Sequence, residues 1–278
     1  MGSRRPSKTE ASATGKVASS TFWPCLDGPG LAGQSVAMGI LQSEHQPEAG
    51  PLSEQGQRLM SVLMQDPRAS RLTARRLLRI VETAEKRLSS VTVVLENLYD
   101  DHNASAVVRT AEGFGLDAVS VIEQPNRFSP AKGIVRGADR WLQIHRHRGL
   151  TQCLAQLSAS GFVTCAADVG EGCVPLEELP VDKPIALIFG SEHDGLSKRA
   201  KALADIRFTI PMQGFTGSFN VSVSAAVALH DVSRRRRQHL QQEGDLAESV
   251  QIERARSWFE RSAGPMPPAR DPQPAHLP

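Results

Sequence analysis

Three stretches of this 278-residue sequence combine residue types that could do chemistry. The first, Asp101-His102-Asn103-Ala104-Ser105-Ala106-Val107-Val108-Arg109, holds an amide and a guanidinium six residues apart. On a helix that separation is about 600° of rotation and about 9 Å of rise, so the two side chains face different ways. By itself the pattern reads as an asparagine N-cap followed by an exposed helical arginine. The second stretch, Gly190-Ser191-Glu192-His193-Asp194-Gly195-Leu196-Ser197-Lys198, has the outline of a phosphate loop. Leu196 stands where such a loop needs lysine, and Glu192 and Asp194 would repel a triphosphate. A dinucleotide fingerprint is missing too, because Gly113-Phe114-Gly115 runs on into Leu116, Asp117 and Ala118. The third stretch, residues 210–227, passes from a strand through Pro211, Gly214 and Gly217 into a helix start crowded with small residues. A serine cap on a closely packed helix accounts for the small residues. It leaves open why Ser218 and Asn220 sit where a sheet and a helix would enclose a pocket.

The elements that must position these residues alternate along the chain. Apolar, β-branched runs predict strands over 91–96, 118–123, 142–147, 162–167, 184–189 and 206–212. Helical patterns fall at 103–115, 151–160, 196–204, 218–237 and 247–262. Continuous apolar strands alternating with helices imply an α/β fold whose parallel sheet is covered on both faces. Ligands of such sheets bind beyond the carboxyl ends of the strands, which singles out the loops after Glu96, Ala167, Phe189 and Met212.

Composition narrows the function class. Hydrophobic residues at 40% and charged residues at 22% suit an ordinary soluble domain. The net charge is only +2, yet seven basic residues lie between Arg68 and Arg87 against two glutamates, and Arg234-Arg235-Arg236-Arg237 forms a second block. Two basic runs flanking one core point to nucleic acid, with solvated helix faces as the plain alternative. Cys25, Cys153, Cys165 and Cys173 form no CxxC pair, so they read as reduced thiols rather than zinc ligands or disulfides. No apolar run is long enough for a membrane span, and none follows the basic N-terminus as a signal peptide would, so a cytoplasmic location is expected. Residues 1–55 read as a low-complexity extension, 56–90 as a basic helical segment for RNA binding, 91–240 as the main domain, 241–262 as a C-terminal helix and 263–278 as a Pro-rich tail.

Taken in series, NxxxxxR at 103–109, FGSExxGLS at 189–197 and IPMxGxxxSFNVSVSAAVAL at 210–229 resemble the three motifs of the SpoU/TrmH branch of the SPOUT methyltransferases. The match runs from about residue 72 to residue 239, in the family's order and spacing. Phe219 departs from it, since leucine is commoner before the asparagine. The long N-terminal extension lies outside the family pattern.

The resemblance implies a deep trefoil knot in the C-terminal half, an exception to unknotted chains. It implies S-adenosylmethionine bound bent in the knot loops, which match Ala166, Ala167, Gly190 and the segment carrying Ile210, Met212, Ser218 and Phe219. It implies a homodimer with the site near the subunit interface, no metal, and methylation of an RNA ribose 2′-hydroxyl. Arg109 would hold a substrate phosphate and stabilise the developing alkoxide, while Asn103, Glu192, Ser218 and Asn220 brace the pocket. His102 borders it, either as a participant or as a structural histidine. Arg75, Arg76, Arg79, Arg234 and Arg236 would contact RNA. The favoured partner is tRNA at guanosine-18 of the D-loop, rather than DNA or a membrane. The alternatives are ribosomal RNA as substrate, or an RNA-binding relative without turnover.

Overall fold

The computed structural model describes residues 52–97, 100–123, 127–191 and 194–266. Cys25, Glu192 and most of the two terminal stretches lie outside them. In chain order the elements are α1 (Glu54–Met64), α2 (Ala74–Glu85), β1 (Val91–Glu96), α3 (Asp101–Gly113), β2 (Ala118–Ile122), α4 (Lys132–Val135), β3 (Gln143–His147), α5 (Leu150–Ala159), β4 (Val163–Ala167), β5 (Val174–Pro175), β6 (Ile185–Phe189), α6 (Lys198–Leu203), β7 (Ile206–Thr209), α7 (Val221–Leu240) and α8 (Glu248–Ala263). Short 3-10 turns occupy Pro67–Arg71, Ala138–Arg140 and Leu176–Glu178.

The departures from the expected bounds are set by capping. Helix α3 starts two residues early because the Asp100 carboxylate accepts the His102 N–H at 2.8 Å, so Asp100 rather than Asn103 is the cap. Helix α7 starts three residues late because Asn220 is its cap, its Oδ1 accepting from the Ser222 N–H at 2.8 Å and hydroxyl at 2.7 Å. Strand β7 stops at Thr209, short of Pro211, which has no N–H to offer a ladder. The two-residue β5 and the single-turn α4 are too short for periodicity to reveal.

All strand pairs are parallel, in the order β3-β2-β1-β6-β4-β7-β5. Strands β1 and β6 lie at the centre and are buried at every residue, as a sheet covered twice requires. Alternate side chains go to opposite faces. Val93, Leu95, Leu187 and Phe189 meet Val107 and Ala111 of α3 and Ala225, Leu229 and Val232 of α7. Val94, Ala166, Ala186 and Ile188 meet Leu150, Cys153 and Leu154 of α5 and Ala200 of α6. A separate apolar cluster joins α1, α2 and α8 through Leu59, Leu63, Leu77, Val81, Trp258 and Phe259. No helix among the described residues is long and apolar enough to cross a membrane.

The arginine block inside α7 is dispersed by the helix itself, since successive residues point about 100° apart. Arg235 donates to the carbonyls of Leu176 and Leu179, at 3.0 and 2.7 Å. Arg236 is buried and donates to the Ser90 hydroxyl at 2.9 Å and the Val181 carbonyl at 2.8 Å. Arg237 donates to the carbonyls of Glu243 and Phe114, at 2.7 and 2.9 Å. Three of the four thus pin loop carbonyls, where a guanidinium fork is the suitable donor. This corrects the expectation that Arg236 contacts RNA: its side chain is spent inside the fold. Arg236→Ala should lower stability by roughly 2–4 kcal/mol by orphaning one buried and one part-buried acceptor and leaving a void, whereas Arg234→Ala should change it by less than about 0.5 kcal/mol. Equal denaturation midpoints for the two variants would contradict this division.

Candidate active site

The carboxyl ends of β4, β6 and β7 open on one cavity of about 350 Å³. Six of the seven residues expected to hold the methyl donor line it, namely Ala167, Gly190, Ile210, Met212, Ser218 and Phe219. Ala166 does not. It is fully buried against α5 and α6 on the opposite face, as strand alternation dictates once Ala167 faces the cavity. The apolar walls include Phe189, Leu196 and Phe208, while Ser191, Thr209 and Ser224 add hydroxyls to that of Ser218. An apolar cleft with a few convergent polar groups is the usual form of a small-molecule site.

The loop after β6 is held closed at three points. Ser191 and Gly195 exchange backbone hydrogen bonds at 3.2 and 3.0 Å. Gly190 packs so tightly under this turn that a Cβ would lie 2.2 Å from the carbonyl of Gly195, and Gly195 itself sits at φ +64°. No larger residue fits at Gly190. Glu96, buried at the end of β1, accepts from the Ser197 N–H at 2.9 Å and the Ser197 hydroxyl at 2.7 Å. Ser197 in turn caps α6 through the Ala200 N–H. Glu96 carried no sequence signal beyond being the last, polar residue of an apolar strand.

Asp168 was equally unforeseen. It follows β4 at the cavity wall and pairs with Lys201 at 2.7 Å and Arg207 at 3.4 Å. Burial pulls its pKa upward, but the Lys201 hydrogen bond, the Val169 N–H and the neighbouring cations outweigh it and hold the carboxyl below its ordinary value. Burial pushes the thiols of Cys153 and Cys165 up to about 11 and about 12, so neither is a nucleophile near neutrality.

The predicted catalytic residues are only partly gathered. Asn220 donates to Asn103 Oδ1 at 3.3 Å, joining the first and third stretches beside the cavity. Ser218 lines the cavity, and Asn103 and Asn220 stand outside its lining. Arg109 is exposed on the far side of α3, its Nη1 donating to the Ile134 carbonyl at 3.4 Å, so the spacing argument for divergent faces holds. His102 is exposed beside Asp100 at 3.8 Å. Glu192 lies outside the described residues. Of the basic residues, Arg75 and Arg79 are exposed on α2, and Arg79 shares a groove with Lys86, Arg234 and Arg237. Glu82, Glu112 and Glu243 line that groove as well, which dilutes its charge. Val223 and Val227 are exposed one turn apart on α7, and Phe219, just before its cap Asn220, is exposed as well.

Two outcomes follow from this geometry. Glu96→Ala should cost roughly 2–3 kcal/mol and loosen the loop after β6, so that ligand binding in the cavity weakens with the fold still formed; unchanged denaturation and binding would refute the clamp. Asp168, with its pKa lowered on folding, stabilises the chain above the unfolded carboxylate value of about 3.9, and this is lost as pH falls through the folded value. In acid titrations of stability, Asp168→Asn should therefore flatten the limb below about pH 4, and an identical limb would discount the pair.

With fold and site described, known proteins supply a comparison. The SpoU rRNA Methylase family profile matches residues 90–230, which takes in all three stretches. A tRNA (guanosine(18)-2′-O)-methyltransferase of Thermus thermophilus is 37% identical over 164 residues, covering 57% of this chain and 81% of the relative. The enzyme of the same name from Borreliella burgdorferi is 32% identical over 159 residues, covering 57% of this chain and 73% of the relative. Among solved structures, the A. aeolicus TrmH/SpoU tRNA modifying enzyme superposes with a TM-score of 0.62 at 28% identity, covering 68% of this chain and 96% of that one. On the extent of these matches and the shared parallel sheet, this chain belongs to the SpoU rRNA methylase family.

Proposed function

We propose that this protein methylates a ribose 2′-hydroxyl of RNA with S-adenosylmethionine, its target being guanosine-18 in the D-loop of tRNA. One observation carries the reading: loops from three separate strands shape a single cavity, lined by residues of the second and third motifs within the span that matches the family. The relatives named as tRNA (guanosine(18)-2′-O)-methyltransferases support the choice of substrate.

The cavity suits the donor. Its volume is at the lower end of small-ligand pockets, its walls are largely apolar, and the absence of a side chain at Gly190 lets the Gly195 turn close against it. When bound, S-adenosylmethionine supplies an electrophilic methyl group already activated by the positive sulfonium. The chain's own residues then have two tasks, to align the ribose oxygen in line with that methyl and to manage its proton. Ser218 presents a hydroxyl inside the cavity, and the Asn103–Asn220 contact fixes the start of α7 beside it. A guanidinium stays protonated, so Arg109 acts by holding a substrate phosphate and stabilising the developing alkoxide, with the phosphate as proton acceptor. Glu192, of the second motif, keeps the bracing role that the family resemblance gives it, and lies outside the described residues. The reading includes the trefoil knot, which the insertion of β6 between β1 and β4 and the shared end of the loops favour.

It also includes a homodimer in the cytoplasm. Arg109 does not line the cavity of its own chain, and the exposed Val223 and Val227 of α7, near Phe219 at the cavity, offer an apolar face that a second subunit would cover.

Incubation with labelled donor and total tRNA, followed by mapping of the modified nucleotide, tests the whole reading: label at guanosine-18 is expected, label in ribosomal RNA alone would move the substrate, and no transfer to any RNA would reject the activity. Arg109→Ala should leave donor affinity nearly intact and lower turnover by about two orders of magnitude or more. Lysine should rescue poorly, because one ammonium does not reproduce a planar fork. Near-native turnover of the alanine variant would remove Arg109 from the mechanism.

A further inference from the structure

The arginines of this fold divide by what neutralises them. Arg58, Arg68, Arg87, Arg146, Arg207, Arg234, Arg235 and Arg254 each lie within 4.0 Å of a carboxylate. Of the others, four are gathered in one place. Arg71, Arg76, Arg140 and Arg261 line a cavity of about 380 Å³ together with Trp141, and no carboxylate among the described residues lines it. They come from the turn before α2, from α2 itself, from the turn before β3 and from the end of α8.

These guanidiniums are held by neutral acceptors. Arg71 donates to the Pro265 carbonyl at 2.8 Å, and Arg76 donates to the Ser262 hydroxyl at 3.0 Å. Arg261 donates to the Arg140 carbonyl. The guanidinium carbons of Arg76 and Arg140 lie 5.0 and 5.6 Å from the centre of the Trp141 ring, within the range of cation–π attraction. The side chains are thus oriented by neutral groups, although Arg71 also acts electrostatically on the nearby Asp66 carboxylate. Four like charges are costly to gather, and an anion at their centre would relieve the repulsion while accepting their remaining N–H groups. The hydroxyls of Thr73 and Ser262 at the same cavity could add to its hydrogen bonds.

We propose that this cavity is a second RNA site that takes a phosphodiester of the substrate backbone. The proposal rests on the reading of the chain as an RNA enzyme and deepens it by placing the contact. Trp141 precedes β3, so the cavity lies at the amino end of an edge strand, whereas the donor cavity lies at the carboxyl ends of the central strands. The two are separate, and the second anchors RNA without touching the reacting atoms. Arg71 and Arg76 belong to the basic run between Arg68 and Arg87, and Arg76 was among the residues expected to contact RNA. Arg140 and Arg261 are brought in by folding.

The test is the salt dependence of binding of unmodified tRNA to the full chain without donor. The Arg140 side chain makes no hydrogen bond among the described residues beyond its contact with Trp141, so Arg140→Gln should melt like the wild type. It should bind tRNA several-fold more weakly near 0.1 M salt, with the log–log salt slope reduced by about one, as expected for one lost phosphate contact. Arg140→Lys, which keeps the charge, should restore the slope and so separate charge from fold. Inorganic phosphate should quench tryptophan emission in the wild type and not in Trp141→Phe. An unaltered slope and affinity in Arg140→Gln overturns the site, as does phosphate quenching without any effect on tRNA, which would leave a small-anion site only. If the wild type binds tRNA with the expected slope change in Arg140→Gln yet transfers no methyl group, the activity fails and the RNA site stands. If it transfers methyl normally and the slope is fixed, the reverse holds.

Discussion

The candidate site depends on one buried carboxylate. Glu96 ends the central strand β1 and accepts two hydrogen bonds from Ser197, which itself starts α6. A carboxylate in that position would be costly to bury without donors, and the loop after β6 supplies both. The pairing thereby fixes where that loop closes, and the loop forms one wall of the cavity shared with the segments after β4 and β7. The tight approach of Gly190 to Gly195 completes the closure from the other side. The position of that wall is therefore set by backbone geometry at the loop after β6.

A second theme is how the protein uses cationic side chains. Many of its arginines act as clips on carbonyls: Arg235, Arg236 and Arg237 hold the loops around α7, and Arg87, fully buried, donates to the Leu116 carbonyl and the Glu112 carboxylate. Charge density along the sequence is consequently a poor guide to charge presented at the surface. A run of four arginines leaves one exposed, and arginines scattered across nearly two hundred positions surround one indole.

The central strands were legible because they are short apolar runs with turn residues on either side, and the burial of β1 and β6 on both faces suppresses the alternation that would have suggested another sheet type. The polar residues at the cavity were legible as motifs, Gly190 and Ser218 above all. What escaped was information of a long-range kind. Asp100 and Asn103 are equally good caps in local terms, and only the structure chooses between them. Glu96 and Asp168 look like ordinary strand ends until their partners at Ser197, Lys201 and Arg207 arrive from far along the chain. Ala166 and Ala167 are indistinguishable as letters, and a single step of strand register sends one to the cavity and the other to the opposite core.

The helical cluster of α1, α2 and α8 has a consequence for the order of assembly. Its first two members are made well before the sheet, and its third, which contributes Trp258 and Phe259, emerges after β7 and α7 are complete. During synthesis Leu59, Leu63 and Leu77 must therefore wait for a covering that comes last, so this layer cannot fold from the amino end onward as an independent unit. Closing it requires the whole intervening sheet as a loop, which makes the docking of α8 the late event that locks the two distant ends together.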